Sequence, residues 1–174
     1  MPSRPIPPCA VMESYKLFRR DRRGKRGGGV ALYVRDCFDC IELDDCDDKV
    51  ECFWVKMRGK VNKADILLGV CYRTNQDEEA GEFFYKRLAE VSQLLPLVLM
   101  GDFSLPDICW KYNTEKRKQS RRFLECVENN FLMQLVSEPT KGDASLDLLF
   151  ANREGLVGGV VVGGCHGRSD HEMA

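Results

Sequence analysis

The sequence predicts an α/β fold in which helices cover the faces of β-sheets. Short apolar segments rich in β-branched residues outnumber helical segments, and two segments with helical periodicity interrupt them. A length of 174 residues, with 44% hydrophobic and 30% charged side chains, fits one globular domain with a sizeable core. We expect residues 1–10, which include four prolines, to form a disordered tail and residues 11–174 to form a single domain.

Three strands are predicted in the first half of this domain. Three glycines, Gly27 to Gly29, lead into an apolar run at 30–34, and similar runs occur at Cys52–Met57 and Ile66–Tyr72. Runs of this length that are rich in Val, Ile and aromatic residues are typical of buried strands.

The clearest helix is predicted over Asp77–Leu95. Apolar residues recur there at a spacing of 3.6 from Phe84 onward, acidic residues open the segment, and Pro96 ends it. A wholly apolar strand follows at Leu97–Met100. The remaining predicted elements are a helix at Gln119–Asn129 and strands at Leu132–Val136, Ser145–Phe150 and Val157–Val162.

Charge and targeting signals limit the possible roles. The net charge of -1 gives no nucleic-acid signal by itself, but the basic stretches 19–26 and 116–122 could line a phosphate-binding face. The alternative is that both are solvated loops. We find no signal peptide and no apolar run of the roughly 18 residues that a membrane span needs, so we expect an intracellular protein, and the nucleus is a possible location.

Nine cysteines permit two interpretations. Cys37, Cys40, Cys46 and Cys52 form a C-x2-C-x5-C-x5-C pattern, which is compatible with zinc. It contains a single CxxC pair, however, and Cys52 lies in a predicted strand. The odd count and the intracellular context therefore favour reduced, partly buried thiols.

Acidic residues lie where apolar strands end. Asp102 follows LVLMG, Asp147 interrupts SLDLLF, and Asp170 and His171 close the chain in GRSDHEM. A buried carboxylate is costly unless it is paired or bound to a metal. With only two histidines in the chain, a His-rich zinc site is excluded, whereas Asp with one His suits Mg²⁺ and phosphate esters. The alternative for each acid is a surface Asp at a strand end.

The segments GGGVALYV, VCYR, GDFSLPDICW, SLDLLFAN and GRSDHEM occur in this order from residue 27 to residue 173, within a match that covers about residues 11–173. The set resembles the endonuclease/exonuclease/phosphatase superfamily, and more closely the endonuclease domain of LINE-class non-LTR retrotransposons. The resemblance implies a four-layer α/β/β/α sandwich (DNase I-like) with its active site at one end of two packed sheets. It also implies metal-dependent hydrolysis of a phosphodiester, in retrotransposons a nick in target DNA.

The resemblance assigns roles to individual residues. Asp102 matches the Asp that activates or positions water, and Tyr72 a tyrosine near the scissile phosphate. Asp170 matches the aspartate beside the metal, His171 faces the phosphate, and Asp147 orients that histidine. The implied metal ligands are Asp170 and Asp102, and candidate nucleic-acid contacts are Arg73, Thr140, Arg117 and Arg121.

Three departures from the family pattern predict impaired catalysis. Ser104 replaces the Asn of the family's GDFN motif, and an amide reaches further and donates two N–H bonds. The family's first strands, with an Asn and the metal-binding Glu, have no counterpart, since Glu13 is the only acid near the start. The chain also ends at Ala174, where the family completes its last strand. We expect a fold incomplete at both ends and weak Mg²⁺ binding.

Three hypotheses follow for function. The protein cleaves nucleic acid at a reduced rate, or it is an inactive nucleic-acid-binding module, or it is a genomic relic without a selected function. Metal-dependent nicking of plasmid DNA distinguishes the first, and salt-dependent binding without cleavage distinguishes the second.

Overall fold

The structure is a computed structural model that describes residues 14–21, 29–43, 52–72, 78–103, 105, 107–112, 114–136 and 147–160. The strands are β1 (Tyr15–Asp21), β2 (Gly29–Arg35), β3 (Cys40–Leu43), β4 (Cys52–Met57), β5 (Ile66–Tyr72), β6 (Leu97–Asp102), β7 (Met133–Gln134) and β8 (Asp147–Ala151). The helices are α1 (Glu78–Leu94) and α2 (Lys118–Asn129).

A six-stranded sheet in the order β3-β4-β5-β6-β8-β7 forms the centre of the protein. β5 and β6 are parallel, and the other neighbouring strands of this sheet are antiparallel. A parallel pair needs a crossover connection, which here contains α1. Because β5 and β6 run in the same direction, both end at one edge of the sheet, and β8 begins at that edge.

The two helices pack on one face of this sheet. The larger core lies between these helices and the sheet. α1 contributes Phe84, Leu88 and Val91 to it, and α2 contributes Phe123 and Leu124. Glu78 and Glu79 open α1, where acidic side chains complement the helix dipole. No helix within the described ranges is long and apolar enough to cross a bilayer.

The hairpin of β1 and β2 covers the opposite face and is a separate two-stranded sheet. Its side chains Phe18, Val30 and Leu32 pack against a second core cluster of Phe53, Val55, Leu68, Val70 and Val98. The layers that the structure describes are thus helices, a six-stranded sheet and a hairpin. This arrangement confirms the predicted α/β class.

Asn152 joins the end of α1 to the start of β6 and the end of β8. Its side-chain oxygen accepts a hydrogen bond from the N–H of Leu97 (2.8 Å), and its amide nitrogen donates to the carbonyls of Ser92 (3.2 Å) and Leu95 (3.3 Å). Its own N–H donates to the carbonyl of Leu97 (3.1 Å). This role explains the Asn that ends the SLDLLFAN segment.

The predicted elements agree with the structure at the centre of the sheet and differ at its periphery. β4 and β5 have the predicted bounds, and both helices and β6 agree to within two residues. The strand predicted at 157–162 is wrong in its described part, 157–160, where Gly159 has a φ of +62° that interrupts extended backbone. β1 and β3 were not predicted from the sequence pattern.

Candidate active site

Three of the predicted site residues form a row across the edge where β5 and β6 end. Tyr72 is the Cα partner of Asp102 in the parallel pair, and Asp102 is the Cα partner of Asp147 in the antiparallel pair. Partners on neighbouring strands have Cα atoms about 5 Å apart. The row therefore places a phenol and two carboxylate-bearing residues at adjacent positions.

The alternation of side chains assigns Asp102 to the face that the hairpin covers. Leu99 and Phe103 belong to the helix-side core, whereas Met100 packs against the hairpin-side cluster. Because successive residues of a strand point to opposite faces, Asp102 shares the side of Met100. Asp102 is buried, with 6% of its surface exposed, and Tyr72 is half-buried.

Gly101 allows β6 to approach β5 immediately before Asp102. Its φ is +146°, a conformation that residues with side chains rarely adopt. A Cβ at this position would lie 1.8 Å from the carbonyl oxygen of Cys71, which is backbone and cannot turn aside. The glycine of the GDF segment is thus required by the close approach of two strands beside the site.

Phe103 anchors the chain directly after Asp102. Its side chain is fully buried, and its ring centroid lies 5.0 Å from that of Phe123 and 5.8 Å from that of Phe150. Trp110, from the PDICW segment, packs edge-on against Phe150 with centroids 5.4 Å apart. These aromatic contacts hold both ends of the segment that follows Asp102.

Asp107 fixes the loop that leads from this edge to α2. One carboxylate oxygen accepts a hydrogen bond from the hydroxyl of Ser120 (2.6 Å), and the other accepts from the N–H groups of Lys116 (3.1 Å) and Arg117 (3.0 Å). Burial raises the pKa of Asp107, but the hydrogen bonds outweigh burial and leave the pKa below its ordinary value. The sequence pattern did not reveal this role, because the donors lie nine to thirteen residues away.

Five other predicted site residues lie outside the described residues. They are Ser104, Asp170, His171, Arg73 and Thr140, and for Asp147 the backbone alone is described. In the described part of the chain, no three His, Cys, Asp or Glu side chains gather as a metal site would require. The oxygen donors of the row are the ligand type that a hard cation such as Mg²⁺ takes.

The cysteines correct one expectation, that all thiols are reduced. Cys52 and Cys71 are Cα partners in β4 and β5, 4.1 Å apart, and form a disulfide, so not all thiols are reduced. The cross-strand register explains this pair, which is remote in sequence. Since Cys52 is bonded to Cys71, it is not a zinc ligand. Cys37 and Cys40 are free, and burial raises the pKa of Cys40.

The described part of the first basic stretch is engaged in internal contacts. The Nε and Nη2 atoms of Arg19 each donate a hydrogen bond of 2.7 Å to the carboxylate of Asp21. Arg20 donates to the carbonyl of Cys52 at 2.8 Å. Within the described part of this stretch, these two side chains support the hairpin.

The second basic stretch divides into paired and unpaired cations. Arg121 binds Glu115 at 2.8 Å, and Arg122 contacts Glu82. Arg117, by contrast, is exposed and forms no ion pair with another described residue. The two predicted contact residues of this stretch therefore have different environments.

Solved structures share this fold. The endonuclease domain of TRAS1, a telomere-specific non-LTR retrotransposon, matches with a TM-score of 0.68 at 18% identity, over 92% of this chain and 76% of that domain. A mannosyl-6-phosphatase of Bacteroides thetaiotaomicron matches with a TM-score of 0.55 at 16% identity, over 82% of this chain and 64% of that one. An endonuclease/exonuclease/phosphatase family protein of the same bacterium gives 0.53 and 16%, over 79% and 61%.

At these identities the likeness establishes the fold. The resemblance that the motifs predicted, to the endonuclease/exonuclease/phosphatase fold and to a retrotransposon endonuclease within it, is confirmed at that level. Neither a family sequence profile nor a curated protein sequence matches the chain.

Proposed function

We propose that this protein is a metal-dependent phosphodiesterase that nicks DNA, at a rate reduced by the loss of a phosphate-binding amide. The observation that carries the proposal is the row of Tyr72, Asp102 and Asp147 at one sheet edge. Strand ends in α/β sheets are where binding sites gather. The neighbours with this fold include a retrotransposon endonuclease and a sugar phosphatase, both of which by name act on phosphate esters.

In this proposal each residue of the row has a separate role in phosphodiester hydrolysis. Asp102 orients the attacking water and accepts its proton, and the Tyr72 hydroxyl donates a hydrogen bond to a phosphate oxygen. Asp147 holds His171 in the tautomer that faces the phosphate. When bound, Mg²⁺ neutralises phosphate charge, and the oxygens of Asp102 and Asp170 are suitable ligands for it.

Ser104 is the basis for the reduced rate. A serine hydroxyl is shorter than the amide of Asn and offers one donor where the amide offers two. Loss of one donor to the developing charge typically lowers the rate about 10²- to 10³-fold. We therefore expect slow nicking, and because groups that act as a unit are not additive, Ser104→Asn alone should raise the rate little while Mg²⁺ is weakly bound.

The test is nicking of supercoiled plasmid in Mg²⁺ by the full chain, with EDTA as the metal-free arm. Asp102→Asn should abolish nicking, whereas Glu128→Gln, the same change on the exposed surface of α2, should leave it intact. Bis(p-nitrophenyl) phosphate and p-nitrophenyl phosphate separate diesterase from phosphatase activity. DNA binding without metal-dependent cleavage would overturn the proposal in favour of an inactive binding module.

A further inference from the structure

The chain between Asp107 and α2 is a closed loop that begins five residues after Asp102. At its base, the Asp107 carboxylate binds the N–H groups of Lys116 and Arg117. Further out, Cys109 and Thr114 exchange backbone hydrogen bonds of 2.8 and 3.3 Å. The two sets of bonds are nested, so the backbone of the loop is fixed at its base and near its tip.

Four exposed cations project from this loop and from the start of α2. They are Lys111, Lys116, Arg117 and Lys118, hereafter the basic surface. The Lys111 ammonium lies 5.2 Å from the ring centroid of Tyr112, which is itself exposed. Among the described residues, none of the four forms an ion pair. Their charge is therefore available to a ligand.

The neighbouring arginines, unlike these four residues, are paired with acidic side chains. Glu115 binds Arg121, and Glu82 contacts Arg122, so these guanidinium groups are neutralised locally. The single carboxylate at the base, Asp107, is enclosed by three hydrogen-bond donors. The loop is thus positive outward, and both of its acids, Asp107 and Glu115, are engaged in contacts within the protein.

We infer that the basic surface binds the phosphate backbone of DNA beside the cleaved bond, and that Arg121 takes no part. The inference rests on the proposed function for its choice of DNA. A duplex presents one negative charge per ~1.7 Å of axis, so several cations on the ordered loop that follows Asp102 can each neutralise a phosphate. Because Asp107 has already ordered the loop, little conformational entropy is lost on binding.

The experiment measures the salt dependence of binding to a short DNA duplex, with every protein in the Asp102→Asn background so that the DNA stays intact. Lys116→Ala/Arg117→Ala should lower the slope of log K against log salt by about 1.8, since each phosphate contact contributes about 0.9. Affinity at 0.1 M salt should fall about ten- to hundredfold.

Two control variants change charged residues outside the basic surface. Lys60→Ala/Lys63→Ala removes two charges from the turn between β4 and β5, at the opposite end of the sheet, and should change the slope little. Glu115→Gln/Arg121→Gln removes the ion pair at constant net charge and should leave both slope and affinity unchanged.

The outcomes separate this inference from the proposed function. The inference would be overturned if the Lys116/Arg117 and Lys60/Lys63 variants had equal slopes, or if the protein did not bind DNA. This holds whether or not the protein with the native Asp102 nicks plasmid. A weakened slope in the Lys116/Arg117 variant alone supports it, even if no cleavage is found. In that case the proposed function fails and the binding surface stands.

Discussion

At the scale of single residues, the site depends on a glycine that no other residue can replace. A Cβ at residue 101 meets the backbone of Cys71 at 1.8 Å, so Gly101→Ala must separate β5 from β6 beside Asp102. We expect a loss of about 2–4 kcal/mol in the free energy of unfolding, measured by urea denaturation. Gly155→Ala, where φ is +75° and nothing lies within 4 Å, should cost about 1 kcal/mol. Equal losses in the two variants would show that close packing at residue 101 is not the constraint.

A second residue-scale prediction concerns Asp107 and pH. Its pKa is lower in the folded protein than in the unfolded chain, so its stabilising effect is complete above the unfolded pKa of about 3.9. The effect is lost as the pH falls through the folded pKa. Asp107→Asn should thus be less stable than the native protein at pH 7, and the gap should narrow below pH ~4. Ser120→Ala, which removes one of three donors, should show a smaller gap. A gap that is constant from pH 7 to 2.5 would contradict this assignment.

At the scale of elements, Asn152 connects three segments with one side chain. Asn152→Ala removes the acceptor for Leu97 and the donors to two carbonyls at the end of α1. We expect a loss of about 2–3 kcal/mol, since unsatisfied backbone groups are left at a helix end. Gln93→Ala truncates an amide on the exposed surface of α1 and should be nearly neutral. Thermal unfolding of both variants tests this prediction. If Asn152→Ala left the stability unchanged, the Asn152 hydrogen bonds would not stabilise the junction.

The elements that the sequence predicts well are those whose own residues determine them. β4 and β5 are largely apolar runs with residues buried on both faces, and α1 repeats its apolar residues at helical spacing. In β1 apolar and charged residues do not alternate regularly, and β3 is a strand of four residues at the edge of the sheet. Both strands therefore depend on pairing with their neighbours in the folded protein. The position of acids at strand ends identified Asp102 and Asp147 as candidate site residues. Their alignment with Tyr72 depends on the strand register, which the local sequence does not contain.

At the scale of the whole molecule, stability is distributed unequally between the two faces of the central sheet. Among the described residues, nineteen buried side chains form the helix-side core and five form the hairpin-side cluster. Among the described residues, the hairpin shares no backbone ladder with the central sheet. Arg20 donates a hydrogen bond to the carbonyl of Cys52 in β4, and Lys16 donates to the carbonyl of Phe38 in the connection between β2 and β3. Asp102 lies on this less extensively packed side, so we expect access to the site to depend on the hairpin layer.

We therefore expect the hairpin to open at a lower free energy than the sheet. In native-state hydrogen exchange, amides of β1 and β2 should show protection factors at least about tenfold below those of β5 and β6, because fewer buried contacts oppose local opening. Phe18→Ala should widen this difference, since it loosens the hairpin on the face of the sheet that Asp102 shares. It should lower the nicking rate by a larger factor than the equilibrium constant for global folding. Phe150→Ala, in the helix-side core, should instead destabilise the whole protein by about 3–5 kcal/mol. If β1, β2, β5 and β6 exchange with one common free energy, the two faces unfold as a unit and the hairpin does not control access to the site.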